Sequence, residues 1–196
     1  MGKIFILWEE FLGKDTIYEN LLGREELSLH PLIMHTTRPI RAGETDGVQY
    51  HFVTEEQLKA LEHAGKVIEL RTYQTVYGPW HYFTVDDGQI RLDRDNAILI
   101  GTLEVYNQMK RYFGEEQVVP LYIEVEDGLR LERALARERM QDVPNYAELC
   151  RRYLADRQDF SEEKIAEAGI LKRYENIDFD ACCREIVRAV KIFLKE

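Results

Sequence analysis

Apolar positions along the chain follow two rhythms. Short apolar runs bounded by turn residues predict strands at 3–7, 32–35, 50–53, 67–71, 80–85, 97–101 and 118–125. Helical spacing occupies the stretches between and after them. Thr54 with Gln57 forms a capping box ahead of a helix running through His63, and Asp178 is placed to cap a terminal helix. In that last helix Phe179, Cys182, Cys183, Ile186, Val190, Phe193 and Leu194 fall on the i, i+3, i+4, i+7 stripe of a core-facing surface. Strand–helix alternation at both ends predicts an α/β fold, a parallel sheet with helices on both faces. The middle, 37–93, has short strands, turn glycines and few helical stretches, so it reads as a small, mostly β insertion. No internal repeat or low-complexity linker is evident.

At 196 residues, 45% hydrophobic and 32% charged, the chain is long enough for one sizeable core with a small insertion or lid. A formal net charge of −10 repels nucleic-acid backbones and anionic membranes, which argues against a polymeric nucleic acid or a membrane as partner. Cys150, Cys182 and Cys183 make neither an even disulfide framework nor a CxxC metal pair, so reduced thiols in a cytoplasmic protein are expected. The sequence contains no apolar run of the length a signal peptide or a bilayer span requires.

Chemistry concentrates in Thr36-Thr37-Arg38-Pro39-Ile40-Arg41-Ala42-Gly43-Glu44, continuing through Gly47, Tyr50 and Phe52. Two arginines three residues apart, set by a proline and followed by turn glycines and a tyrosine, can converge on one phosphate. Guanidinium forks bind such an anion bidentately, and a phenol adds a directed hydrogen bond. The same residue types also suit an ordinary polar loop with a surface arginine pair.

Their order narrows the choice. TTRPIRAGETDGVQYHF closely resembles the monophosphate-binding signature of guanylate kinases, roughly TTRxPRxGExxGxxYxF, with Pro39 one place early and both arginines at their spacing. The resemblance continues at Glu69, at Tyr77-Gly78, in an arginine-rich region and at Asn176. It implies a P-loop NTPase-type sheet flanked by helices, with a core of 1–36, 94–128 and 170–196, a monophosphate-binding insertion of 37–93 and an arginine-rich helical lid of 129–169. It further implies transfer of the ATP γ-phosphoryl group to GMP or a related monophosphate with Mg2+, the partners being small-molecule nucleotides. Arg38, Arg41, Tyr50 and Tyr77 would hold the acceptor phosphate, and Glu69 would read its base. An ionised carboxylate only accepts, so it matches the paired N1 and N2 donors of guanine. Three departures weaken the base-reading set: Met34 where the family has serine, Pro79 after Tyr-Gly, and Ile100-Gly101-Thr102 where it has Asp-x-Asp. Thr102 can replace one acceptor there.

The opening stretch KIFILWEEFLGKDTIYENLL has the layout of a phosphate loop, an apolar strand followed by Gly13-Lys14 and a helix. In the family's GxxxxGK[ST] pattern position 8 is glycine; here it is Trp8, and Asp15 then Thr16 follow the lysine. Gly13, Lys14, Asp15 and Thr16 would bind ATP, with Asp15 and Thr16 as magnesium ligands. Without small residues the backbone does not easily wrap a phosphate. Glu9 and Glu10 add repulsion, about 3 kcal/mol for a carboxylate ~6 Å from a phosphate charge at an effective dielectric near 20. Three accounts fit: a degenerate loop in a poor nucleotide binder, a refolded loop in which Asp15 helps hold magnesium, and a locally shifted reading frame that resequencing would expose.

The lid region holds Arg130, Arg133, Arg137, Arg139, Arg151, Arg152 and Arg157 in an otherwise acidic chain. Phosphoryl transfer rests on alignment and on cations that close over the moving group. By resemblance Arg137 and Arg151 or Arg152 are the catalytic candidates beside Lys14, and Asn176 would lie near the donor adenine. Pairing with Glu132, Glu138, Glu148 and Asp156 along solvated helix faces accounts for many of these arginines equally well. Two functions are therefore carried forward: a kinase, and a catalytically silent module of the same architecture that binds a monophosphate or a phosphorylated partner.

Overall fold

Strand β1 (Ile4–Glu9) is apolar on both sides because both sides are covered. Ile4, Ile6 and Trp8 enter one core with helix α3 (Leu103–Phe113), while Phe5 and Leu7 enter another with α1 (Lys14–Leu22) and α7 (Phe179–Phe193). A continuous apolar run, rather than an alternating one, is what such a central parallel strand requires. The computed structural model describes residues 2–9 and 14–195, with Glu9, Lys14 and Asp15 described by backbone alone.

The core sheet has the order β2-β7-β1-β8-β9, all parallel, from β2 (Leu29–Pro31), β7 (Asn96–Ile100), β8 (Val118–Glu124) and β9 (Arg173–Glu175) around β1. A separate four-stranded sheet of order β4-β3-β6-β5 combines β3 (His35–Thr36), β4 (His51–Phe52), β5 (Val67–Thr75) and β6 (Gly78–Val85). It is mixed: β3 and β4 run parallel, whereas β6 is antiparallel to β3 and β5. Helix α2 (Glu55–His63) closes its own small core through Leu58 against Phe83 and Val85. The capping box at Thr54 and Gln57 and the Asp178 cap form as their spacing predicts.

Two expectations need correction, and two strands were not expected at all. β1 runs on through Trp8 and Glu9 instead of stopping at residue 7. No strand occupies 32–35 as a unit: Leu32 is buried and its amide reaches the Ile98 carbonyl, after which the chain leaves the core sheet and enters the second one at His35. Its apolar character reflects burial during a crossing between sheets, not membership of one ladder. β2 and β9 are three-residue strands too short to leave a periodic signal.

After β8 come α4 (Asp127–Glu138), α5 (Tyr146–Asp159) and α6 (Glu162–Glu167). Cys150, Cys182 and Cys183 form no disulfide in the described structure. Among the described residues no helix is long and apolar enough to cross a membrane.

Candidate active site

The second sheet builds a wall of polar and aromatic groups by simple alternation. Glu69, Arg71 and Tyr73 sit at every second position of β5, so they share one face, and the β6 register sets Thr84, Tyr82 and Trp80 beside them. Tyr50, Arg71, Tyr73, Trp80 and Tyr82 line a hollow of about 360 Å³. Its rings meet edge-on, with Tyr50 and Tyr73 each 5.6 Å from Tyr82. Flat apolar rings with phenols at their ends suit a planar ligand that also carries hydrogen-bonding edges.

Arg38 stands at one side of this hollow. It is buried, and both terminal nitrogens donate to the Glu44 carboxylate at 2.8 and 2.9 Å, a bidentate pair. Its guanidinium lies 5.5 Å from the Tyr50 ring centre and 5.4 Å from that of Phe52. Glu44 also accepts from the Arg41 amide at 2.7 Å, and the Arg38 hydrogen bonds together with that amide bring its carboxyl down to about 2. The turn from Arg38 to Glu44 is thus locked by one carboxylate. The Tyr50 phenol is pushed up, chiefly by burial.

Glu69 is only 1% exposed. It accepts from the Arg71 Nε at 3.0 Å and from the Thr84 hydroxyl at 2.8 Å. Burial pushes its pKa up despite the opposing pull of Arg71 and Thr84. Arg71 also reaches the Met34 sulfur at 3.4 Å, so the residue standing in place of the family's serine contacts the guanidinium beside Glu69. Sequence reasoning did not single out Arg71, Tyr73, Trp80 or Tyr82; the signal available was their two-residue spacing on β5 and β6 with Glu69.

The remaining candidates are dispersed. Arg41 projects its exposed side chain from the turn. Tyr77 is 83% exposed at the tip of the β5–β6 hairpin and stacks parallel on Trp80 at 6.3 Å, so it joins the hollow only through that ring. Thr102 caps α3, its hydroxyl accepting from the Val105 amide at 3.3 Å, and it lines a second hollow of about 640 Å³ with Tyr73, Glu104 and Arg111. Arg137 is exposed on the last turn of α4. Arg151 and Arg152 are exposed on α5, where Glu148 pairs with both at 2.8 and 3.5 Å. Asn176 is buried after β9, and its carbonyl accepts from Arg133 at 2.9 Å. Arg130, buried under the Tyr153 ring at 4.4 Å and paired with Asp127 at 2.8 Å, anchors α4 to α5.

At the opening stretch Thr16 is exposed in the first turn of α1. Gly13 lies outside the described residues, as do the side chains of Lys14 and Asp15. Trp8 is 1% exposed and packs on Tyr106 and Tyr122, ring centres 5.4 and 6.3 Å away. The position where a phosphate loop would start is therefore a strand residue plugged into the core. A hollow of about 650 Å³ opens nearby at the carboxyl ends of β8 and β9, lined by Glu124, Glu126, Asp127, Glu162 and Glu175 with Arg157. Strand carboxyl ends are where open α/β sheets receive ligands, but this lining repels a bare phosphate.

Comparison with known proteins agrees with this layout. The family model described as guanylate kinase matches residues 2–118. A guanylate kinase of Salinibacter ruber is 31% identical over 93% of this chain and 91% of its own length, and one of Porphyromonas gingivalis is 26% identical over 93% and 92%. The crystal structure of guanylate kinase from Anaplasma phagocytophilum superposes with a TM-score of 0.64 over 97% of this chain and 85% of that one, at 18% identity. A parallel five-stranded core sheet, a separate small mixed sheet carrying the arginine turn, and a family match over more than half its length place this chain in the guanylate kinase family.

Proposed function

We propose that the chain binds GMP or a closely related nucleoside monophosphate in the aromatic hollow of the second sheet and transfers to it the γ-phosphoryl group of ATP. The observation that carries this is the placement of Arg38 and Tyr50 in contact at one side of the hollow, on the sheet whose face also holds Glu69. Arg38, pre-oriented by Glu44, and the exposed Arg41 would take the acceptor phosphate, with Tyr50 and Tyr77 adding phenolic donors. Glu69 would accept from the base, and Thr102 lies toward the neighbouring hollow as a further acceptor.

For the donor, Lys14 would follow the phosphates, Asn176 would sit by the adenine, and Arg137, Arg151 and Arg152 would close over the transferring group. Asp15 and Thr16 carry the hard oxygen donors that Mg2+ prefers, and Thr16 sits in the first turn of α1, where a donor to such an ion fits. When bound, that ion would supply charge neutralisation at the donor phosphates. A second arm of the proposal follows from Trp8: with the strand extended through that residue, a module that binds the monophosphate but turns it over slowly or not at all is the natural variant.

The test couples ADP release to a reporter with Mg-ATP and each nucleoside monophosphate, alongside calorimetry of each ligand alone. GMP-dependent turnover that Lys14→Ala abolishes supports the kinase. Tight GMP binding without Mg-ATP binding or turnover supports the silent module, and binding of no monophosphate overturns both.

A further inference from the structure

The second sheet also brings together three groups the nucleotide reading does not use. His35 on β3 and His51 on β4 are register partners on adjacent strands, their rings 4.7 Å apart. Asp87, in the turn just after β6, faces them, its Oδ2 3.8 Å from the His35 Nε2. One ring nitrogen from each histidine and one carboxylate oxygen of Asp87 all lie within 4.8 Å of one another. Two adjacent strands and the turn after a third thus deliver two imidazoles and a carboxylate to one point.

A histidine in this position can simply be part of the core, and His35 does stack on Phe83 at 5.4 Å. Packing alone leaves a fact unexplained. His35 is only 8% exposed, and its Nδ1 has no hydrogen-bond partner among the described residues. Its other nitrogen, Nε2, stands 3.8 Å from Asp87 Oδ2, beyond hydrogen-bond reach, so this buried imidazole faces a carboxylate without bonding to it, and a cation held between them would engage both. The surroundings are also held in place. Asp87 accepts from both the amide and the side-chain nitrogen of Gln89, at 3.0 and 2.7 Å, which fixes its carboxylate as partners of metal ligands commonly do. Gly47, at a φ of 75°, brings its backbone against the His51 ring, where an added Cβ would lie 3.5 Å from the imidazole.

We propose that His35, His51 and Asp87 form a binding site for a divalent transition cation of the zinc class, clipping β3, β4 and the turn after β6 together. Two nitrogens and one oxygen are a donor set zinc takes, with a fourth tetrahedral position left for solvent. Zinc ligands at about 2.1 Å in a tetrahedron stand roughly 3.4 Å from one another, so closing the site needs side-chain movements of about 1 Å. The cation would sit directly beside the phosphate-binding segment, since His35 immediately precedes Thr36-Thr37-Arg38 and His51 follows Tyr50. Its occupancy would brace the arginine turn. This inference does not depend on the chain being a kinase.

The test uses the full chain, stripped with a chelator and titrated with Zn2+ by calorimetry, and with Co2+ while the visible spectrum is recorded. Wild type should bind one cation per chain, show the intense bands of tetrahedral cobalt, and melt at a higher temperature with Zn2+. His51→Gln and Asp87→Asn should each weaken binding tenfold or more, the scale on which even residues that merely orient a ligand act. His63→Gln, a surface histidine on α2, should bind as wild type does. Both ligand positions are partly exposed, which lets these variants fold where a change at His35 would disturb the stack on Phe83. Saturation at a different stoichiometry, or binding that His51→Gln and Asp87→Asn leave unchanged, overturns the site.

Discussion

Replacing Trp8 separates two views of the opening stretch. If position 8 is a core strand residue, Trp8→Ala removes an indole that is 1% exposed and rests on Tyr106 and Tyr122. Truncation of a buried aromatic to alanine costs about 3–5 kcal/mol, lost transfer energy plus a cavity. Against a total stability of roughly 5–15 kcal/mol, that is a severe loss in the central strand. Trp8→Phe should behave differently. The indole Nε1 is buried with no partner among the described residues, and an orphaned donor costs about 1–3 kcal/mol. Phenylalanine removes that cost while giving up about 2 kcal/mol of ring burial, so the two nearly cancel. The expected order is therefore wild type and Trp8→Phe within about 1 kcal/mol, with Trp8→Ala at least about 2 kcal/mol below them.

Urea unfolding followed by far-ultraviolet circular dichroism measures this without relying on the altered fluorophore, and an unchanged m-value licenses the comparison. A Trp8→Ala protein as stable as wild type would refute the strand assignment, and so would a Trp8→Phe protein as damaged as Trp8→Ala. Gain of Mg-ATP binding in a stable Trp8→Ala protein would return position 8 to a phosphate loop.

Other predictions concern the arginine turn and the wall beside it. Arg41→Ala should weaken GMP binding about tenfold, the scale of one charge-assisted hydrogen bond, without shifting the melting temperature, because its side chain is exposed; calorimetry and thermal melts together check this. Glu69→Gln should weaken GMP binding in preference to other monophosphates, and equal losses across a panel of bases would remove Glu69 from base reading. The two carboxylates should also give opposite pH slopes. Glu44 has a folded value of about 2 against an ordinary 4.5, so its stabilisation is present above 4.5 and lost as pH falls toward 2; the stability gap between wild type and Glu44→Gln should close over that window. Glu69 is raised above 4.5, so its contribution is full below 4.5 and declines as pH rises through the folded value. Wild type should accordingly lose ground to Glu69→Gln as pH rises from acid.

What the sequence made legible follows from how each feature is encoded. The two-faced core sheet was readable because burial on both sides forces unbroken apolar runs such as Ile4 to Leu7, and α7 was readable because its stripe and Asp178 cap are local. The meeting of Arg38 with Tyr50 was readable because both lie within one contiguous segment, whereas the Glu44 lock on Arg38 was not read from the sequence. β9 and the crossing at Leu32 were not, since their hydrogen bonds depend on strands far away in the chain. Trp8 looked anomalous against a loop pattern because the apolar run reads as stopping at Leu7; the structure continues the strand through it and buries it against Tyr106 and Tyr122. The contacts of the aromatic hollow were the least legible, because they arise from two-residue alternation on β5 and β6 combined with a register no local pattern fixes. That same register bears on specificity. It sets Arg71 against Glu69, and the crossing before β3 brings Met34 to Arg71, so the base that the proposed function puts at Glu69 would meet a carboxylate already engaged by a guanidinium. A ligand whose edge both donates to Glu69 and accepts from Arg71, as guanine does with its N1–H and O6 side by side, fits this pair better than adenine, whose adjacent N1 and N6–H2 present the reverse order.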